Sequence, residues 1–149
     1  MSPLRRKLIQ ALAIAGAGAL LPLRLLAAEW NKIAFESKDM ASSLKLIGAD
    51  TAAPSELIRF KAPEIAENGA IVPIEIESRV PGTETIFVLA EKNPQPLAAS
   101  FRFLNGAEPF VATRIKMSES ARVVVVVEAD GRFFSASRDI KVTIGGCGG

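Results

Sequence analysis

The chain has 149 residues, of which 49% are hydrophobic and 23% charged; it is too apolar for a disordered polymer and of a length that suits one domain. It contains no His and a single Cys. That excludes imidazole general-base chemistry, histidine metal ligation, an intrachain disulfide and a cysteine-cluster metal site.

Residues 1–28 read as an export signal. The basic cluster Arg5, Arg6 and Lys7 precedes an apolar run from Leu8 to Leu23, and Ala27 and Ala28 offer a small-residue cleavage site before Glu29. The paired arginines followed by Lys7, Leu8 and Ile9 match a twin-arginine signal, which places the mature chain in the periplasm. Arg24 interrupts the end of the run, and the run is short against the roughly 20 residues a spanning helix needs, so no stable membrane association is expected. No Cys lies near the cleavage site, which excludes a lipid anchor. Arg5, Arg6, Lys7 and Arg24 leave with the signal, so the formal net charge of +2 turns slightly acidic in the mature chain. No basic patch with interleaved aromatics survives there, and nucleic acid is not an expected partner.

The mature chain reads as one helix followed by strands. Met40, Leu44 and Ile47 form one apolar face and predict a short helix over 37–47, with Ser37 as its cap and Gly48 as its stop. From Glu56 the period becomes two. Strands are predicted at 57–61, around Val72, Ile74 and Ile76, and at 85–90, 97–103 and 110–117, with Val111, Thr113, Ile115 and Met117 on one face of the last. Pro73 lacks a backbone donor and points to an edge or a bulge. Five consecutive valines, Val123 to Val127, predict a strand at 122–128 buried on both faces. Asp130-Gly131 predicts a tight hairpin into a final strand over 132–144. About seven strands with regular turn signals describe an all-β chain, an immunoglobulin-like antiparallel β-sandwich with a short N-terminal helix, over residues 29–144.

The last five residues are Gly145, Gly146, Cys147, Gly148 and Gly149. Four glycines lift side-chain restrictions and make the segment a flexible carrier arm. Fully extended, the three residues after Ile144 carry the thiol roughly 10 Å past the strand. A cysteine flanked only by glycines fits a narrow channel, because no neighbouring side chain adds width. The thiolate is the reactive form, and at a typical pKa of about 8.5 little is ionised at neutral pH. The nearby terminal carboxylate disfavours ionisation further, and no His or Arg in the tail offsets it. Activation must then come from a partner's pocket, so the residues favour a carrier over an enzyme. No catalytic residue, metal ligand or cofactor is expected.

Four stretches carry a family resemblance: APEIAENGA at 62–70, EKNPQPL at 91–97, TRIKM at 113–117 and the closing GGCGG. Over residues 33–149 the chain resembles the SoxY family, the sulfur-carrier subunits of the bacterial Sox sulfur-oxidising system. The resemblance implies an immunoglobulin-like sandwich, a heterodimer with SoxZ in the periplasm, and Cys147 as the covalent attachment point on the arm. It implies that a haem-containing SoxAX partner joins thiosulfate oxidatively to Cys147. SoxB then releases sulfate by hydrolysis, and a SoxCD-type enzyme, where present, oxidises the remaining sulfane sulfur.

Other readings of the same residues stand beside this one. A lone Cys is ordinarily a small buried hydrophobe, but nothing apolar surrounds Cys147. Asn68-Gly69 and Asp130-Gly131 are most simply turns. Arg114 and Lys116 read as a solvated strand face, and the helix bearing Met40 and Leu44 reads as packing. Two rival functions come from other classes. One is a diglycine-tailed sulfur carrier working through a terminal thiocarboxylate, which the export signal and the lack of a mid-chain helix oppose. The other is a one-cysteine thiol enzyme, which needs a low-pKa thiol in a pocket.

Overall fold

The computed structural model describes residues 31–143. The expected export signal, Trp30, Ile144 and the tail residues Gly145, Gly146, Cys147, Gly148 and Gly149 lie outside the described residues.

Among the described residues two short helices come first, α1 (Lys32–Glu36) and α2 (Met40–Leu46), where the pattern predicted one. Ser37 does not cap the second helix. Its extended backbone ends α1, and Asp39 caps α2 by accepting from the Ser42 amide at 2.8 Å. Asn31 caps α1 in the same way, through the Ala34 amide at 3.1 Å. A carboxylate accepts more strongly than a hydroxyl, and each helix start leaves amides in need of an acceptor. The predicted stop holds, since the chain leaves α2 through Gly48 in the left-handed region at φ +80°.

Nine strands follow: β1 (Ala53–Pro54), β2 (Ile58–Lys61), β3 (Ile65–Ala66), β4 (Val72–Ser78), β5 (Thr83–Ala90), β6 (Leu97–Arg102), β7 (Phe110–Ile115), β8 (Ala121–Ala129) and β9 (Arg132–Val142). They build a six-stranded sheet in the order β1-β9-β8-β5-β6, with β3 also paired to β9, and a three-stranded sheet in the order β2-β4-β7. The sandwich expected from the strand pattern is what forms. Its two extra strands, β1 and β3, are two residues each and too short to show alternation. Both pair parallel to β9, whereas the pairs β2–β4, β4–β7, β5–β6, β5–β8 and β8–β9 are antiparallel.

One core lies between the sheets. Ile58, Phe60, Val72, Ile74, Ile76, Val111, Ile115 and Met117 come from the smaller sheet and its connections. Ile86, Val88, Val123, Val125, Val127 and Ile140 come from the larger. A second cluster lies on the outer side of the larger sheet, where Ala34, Ile47 and Ala49 from the helical segment meet Leu89, Leu97 and Val126. This explains the valine run. Odd-numbered valines face the sandwich core, Val126 faces the helices, and Val124 packs beside it. The helices therefore pack on the sheet, as their apolar spacing predicts.

Pro73 departs from its expectation of an edge strand, because β4 is the central strand of its sheet. The register resolves the conflict. β2 pairs with β4 only from Glu75 to Ser78, while β7 pairs with it from Val72 to Glu77. At Pro73 the strand thus has a neighbour on one side only, and a missing donor is tolerated. The hairpin at Asp130-Gly131 forms as predicted. Ala129 pairs with Arg132, and both loop residues have positive φ, +49° and +70°, the signature of a type I′ turn. Among the described residues no helix is long and apolar enough to cross a membrane.

Candidate functional site

The tail begins where β9 ends, so the structure around Val142 and Thr143 decides where a thiol at Cys147 can go. β9 reaches this point as an inner strand of the larger sheet, paired with β8 from Arg132 to Ile140. Near its end it gains a second neighbour. β3 lies alongside with Ile65 opposite Lys141 and Ala66 opposite Val142. The Lys141 amide donates to the Glu64 carbonyl at 2.9 Å, and the Thr143 amide donates to the Ala66 carbonyl at 3.1 Å. The Thr143 hydroxyl donates to the Glu67 carbonyl at 3.1 Å.

The β8 side is fastened by a side chain. Ser120 Oγ accepts from the Val142 amide at 2.8 Å and donates to the Val142 carbonyl at 3.4 Å. Strand pairing stops at Ala121–Ile140, and Ser120 continues the clamp for two more residues. The strand end is therefore held on both sides, Val142 by Ser120 and Thr143, the last described residue before the tail, by Ala66 and Glu67.

The loops of this end are tied to one another. The Met117 amide donates to the Gly69 carbonyl at 2.7 Å. Asn93 ties the loop after β5 to the segment after β7, donating to the Lys116 carbonyl at 2.7 Å and accepting from the Ser118 amide at 2.9 Å. Asn68 accepts from the Ala70 amide at 2.8 Å and opens the 3-10 turn Gly69–Ile71, so its role is the turn that the sequence predicts. Glu91 and Arg122 pair across the same end at 3.5 Å. The stretches 62–70, 91–97 and 113–117, far apart in sequence, thus meet at one end of the sandwich, around the root of the tail.

Glu64, Glu67, Lys116 and Lys141 are exposed there and carry both signs, so the rim has no single-sign field. Arg114 and Lys116 are solvent-facing, as expected. Among the described residues no cluster of His, Cys, Asp and Glu could hold a metal ion. The arrangement builds a fixed anchor. The candidate attachment residue Cys147 and the arm glycines Gly145, Gly146, Gly148 and Gly149 follow that anchor outside the described residues. Sequence patterns miss Ser120 and Thr143, because a clamp made between positions 22 and 76 residues apart leaves no local signal.

The sulfur oxidation protein SoxY family model matches residues 44–147. The chain belongs to the SoxY family. The match runs through the three converging stretches and ends on Cys147. Among solved structures, the sulfur carrier protein SoxY from Chlorobium limicola f thiosulfatophilum is similar at 35% identity and a TM-score of 0.64, over 76% of this chain and 99% of that one. A superoxide reductase (neelaredoxin) from Ignicoccus hospitalis is similar at 18% identity and a TM-score of 0.48, over 58% of this chain and 80% of that one, which is too slight to bear on function. No curated protein matches the chain.

Proposed function

We propose that the chain is a sulfur carrier of a thiosulfate-oxidising system and that Cys147 holds the cargo covalently. The observation that carries this reading is the convergence of three family stretches on a doubly clamped strand end, four residues before a cysteine set among glycines. A carrier needs a rigid body and a short unhindered tether, and this layout supplies both.

The chemistry balances without a catalytic group in the carrier. The Cys147 thiolate and the sulfane sulfur of thiosulfate form an S–S bond, and two electrons leave to an oxidising partner, here a haem-containing SoxAX-type enzyme. The product is a cysteine S-thiosulfonate. Water then attacks the terminal sulfur in a SoxB-type enzyme. The S–S bond to the sulfone group breaks, sulfate departs, and a persulfide stays on Cys147. A SoxCD-type enzyme would oxidise that remaining sulfur. Each intermediate stays covalently held, so one handle visits several sites without loss of cargo.

The export signal at 1–28 supports a periplasmic setting by the twin-arginine route, and family membership supports SoxZ as the stable partner. The test is Cys147→Ser in the producing cell. Loss of thiosulfate-dependent sulfate formation supports the reading. Unchanged sulfate formation would overturn it, and would fit a thiocarboxylate carrier working through the terminal glycine instead.

A further inference from the structure

One residue of β9 breaks the pattern of its face. Phe134, Ala136, Arg138 and Ile140 alternate on the side turned to the smaller sheet. Phe134, Ala136 and Ile140 pack into the core there. Arg138 stays exposed and reaches across to β2, where its Nε donates to the Phe60 carbonyl at 2.6 Å.

Both strands have an open edge at this place. The Arg79 amide donates to the Leu57 carbonyl, so in the antiparallel pair β2–β4 the peptide groups of Leu57, Arg59 and Lys61 point to β4 and those of Ile58 and Phe60 point away. No second strand lies beside β2. On β9 the Ser135 carbonyl accepts from the Ser55 amide and the Lys141 amide donates to the Glu64 carbonyl, so the odd-numbered peptide groups point away from β8. β1 ends opposite Ser135 and β3 begins opposite Lys141. Between them the Ser137 amide meets no strand, and across the gap neither does the Phe60 amide.

The gap is a cleft of about 350 Å³ whose lining includes Arg59, Phe60, Lys61, Ser137 and Arg138 and no carboxylate. Lys61 pairs with Glu75 at 3.0 Å and Arg59 with Glu77 at 3.4 Å, outside this lining. Among the described residues Arg138 makes no ion pair. Covering the open edge of β2 requires only its Nε contact. The guanidinium keeps further donors on its terminal nitrogens, and the edge-covering role leaves two amides and two flanking cations unaccounted for.

We propose that the cleft between β2 and β9 binds a tetrahedral oxyanion of the sulfate class, held by Arg138 and the Phe60 and Ser137 amides and flanked by Arg59 and Lys61. A guanidinium fork matches paired oxygens of such an anion, and the Phe60 contact fixes its position before the ligand arrives. Backbone amides add donors that carry no counter-charge of their own. The cleft opens to water, so binding is weak and weakens further with salt. None of these residues belongs to the tail or to its anchor, and the site stands or falls independently of the carrier reading.

The test is an amide NMR titration of the reduced full chain with sulfate, thiosulfate or phosphate, chloride being exchanged to hold ionic strength constant. The Phe60 and Ser137 resonances should move along saturable curves. Arg138→Gln should raise the midpoint about tenfold or more, the size expected for a lost charge-assisted hydrogen bond. Lys61→Gln leaves the Arg138–Phe60 contact in place and should raise it by a smaller factor, while Arg114→Gln, outside the cleft, matches the wild type. A lower midpoint for thiosulfate than for sulfate and phosphate would assign the site to reduced sulfur oxyanions, and equal midpoints to tetrahedral oxyanions at large. Shifts that never saturate and spread over the whole surface would overturn the site. So would wild-type midpoints in both Arg138→Gln and Lys61→Gln.

Discussion

Ser120 grips Val142 by both peptide groups, taking its amide at 2.8 Å and giving its hydroxyl to the carbonyl at 3.4 Å. One side chain thereby extends the β8–β9 ladder past its last backbone pair and sets the point where the tail starts.

Ser120→Ala should remove this grip and leave the fold intact. The site is solvent-facing, so water can replace the lost partners, and the cost in global stability should be about 0.5–1.5 kcal/mol. The local effect should be larger. Amide exchange at Val142 and Thr143 should speed up selectively, with the β8–β9 amides nearer the hairpin unchanged. Equal acceleration along all of β9 would show that Ser120 supports the whole strand and does not set the tail's start.

Leu89 tests the second packing layer. It is fully buried against the helical segment, on the face of β5 opposite Val88. Leu89→Ala should destabilise the domain by about 2–5 kcal/mol in denaturant titrations, as for any large buried side chain cut to a methyl. A loss below about 0.5 kcal/mol, typical of surface positions, would mean that the helices do not cover this face in solution.

Asp39 gives the pH dependence. Its carboxyl is held below the ordinary carboxylate range, chiefly by the hydrogen bond from the Ser42 amide. The depressed folded value means that its contribution is fully present above the unfolded pKa and is lost as pH falls through the folded one. Asp39→Ala should therefore lower the thermal unfolding midpoint at neutral pH, and the gap to wild type should close in the acid range below about pH 4. Glu77 follows the same sign. The hydrogen bond from Arg79 Nε at 2.8 Å lowers its pKa first, with the charges of Arg79, Arg59 and Lys61 adding to it. A gap that stays constant from neutral to acid pH would contradict the capping role of the Asp39 carboxylate.

These cases show what a sequence can disclose. The alternation of Val72, Ile74 and Ile76, the valine run and the Asp130-Gly131 turn are local patterns, and local patterns specify strands, faces and hairpins. The cap falls at Asp39, two residues beyond the expected Ser37, because both are good acceptors and only the chain's path decides which one meets a free amide. β1 and β3 were invisible because two residues have no period, and their pairing with β9 is non-local. The candidate site divides in the same way. Cys147 and its glycines stand out by composition. The anchor that aims them does not, because Ser120, Thr143, Asn93 and the 62–70 loop meet only through the fold.

The most direct measurement is the intact mass of the full chain, with its stable partner, after incubation with thiosulfate and the oxidising enzyme, before and after reductant. A reductant-labile adduct that maps to Cys147 and is absent in Cys147→Ser is the expected result. An unmodified Cys147 thiol under those conditions would contradict the carrier function.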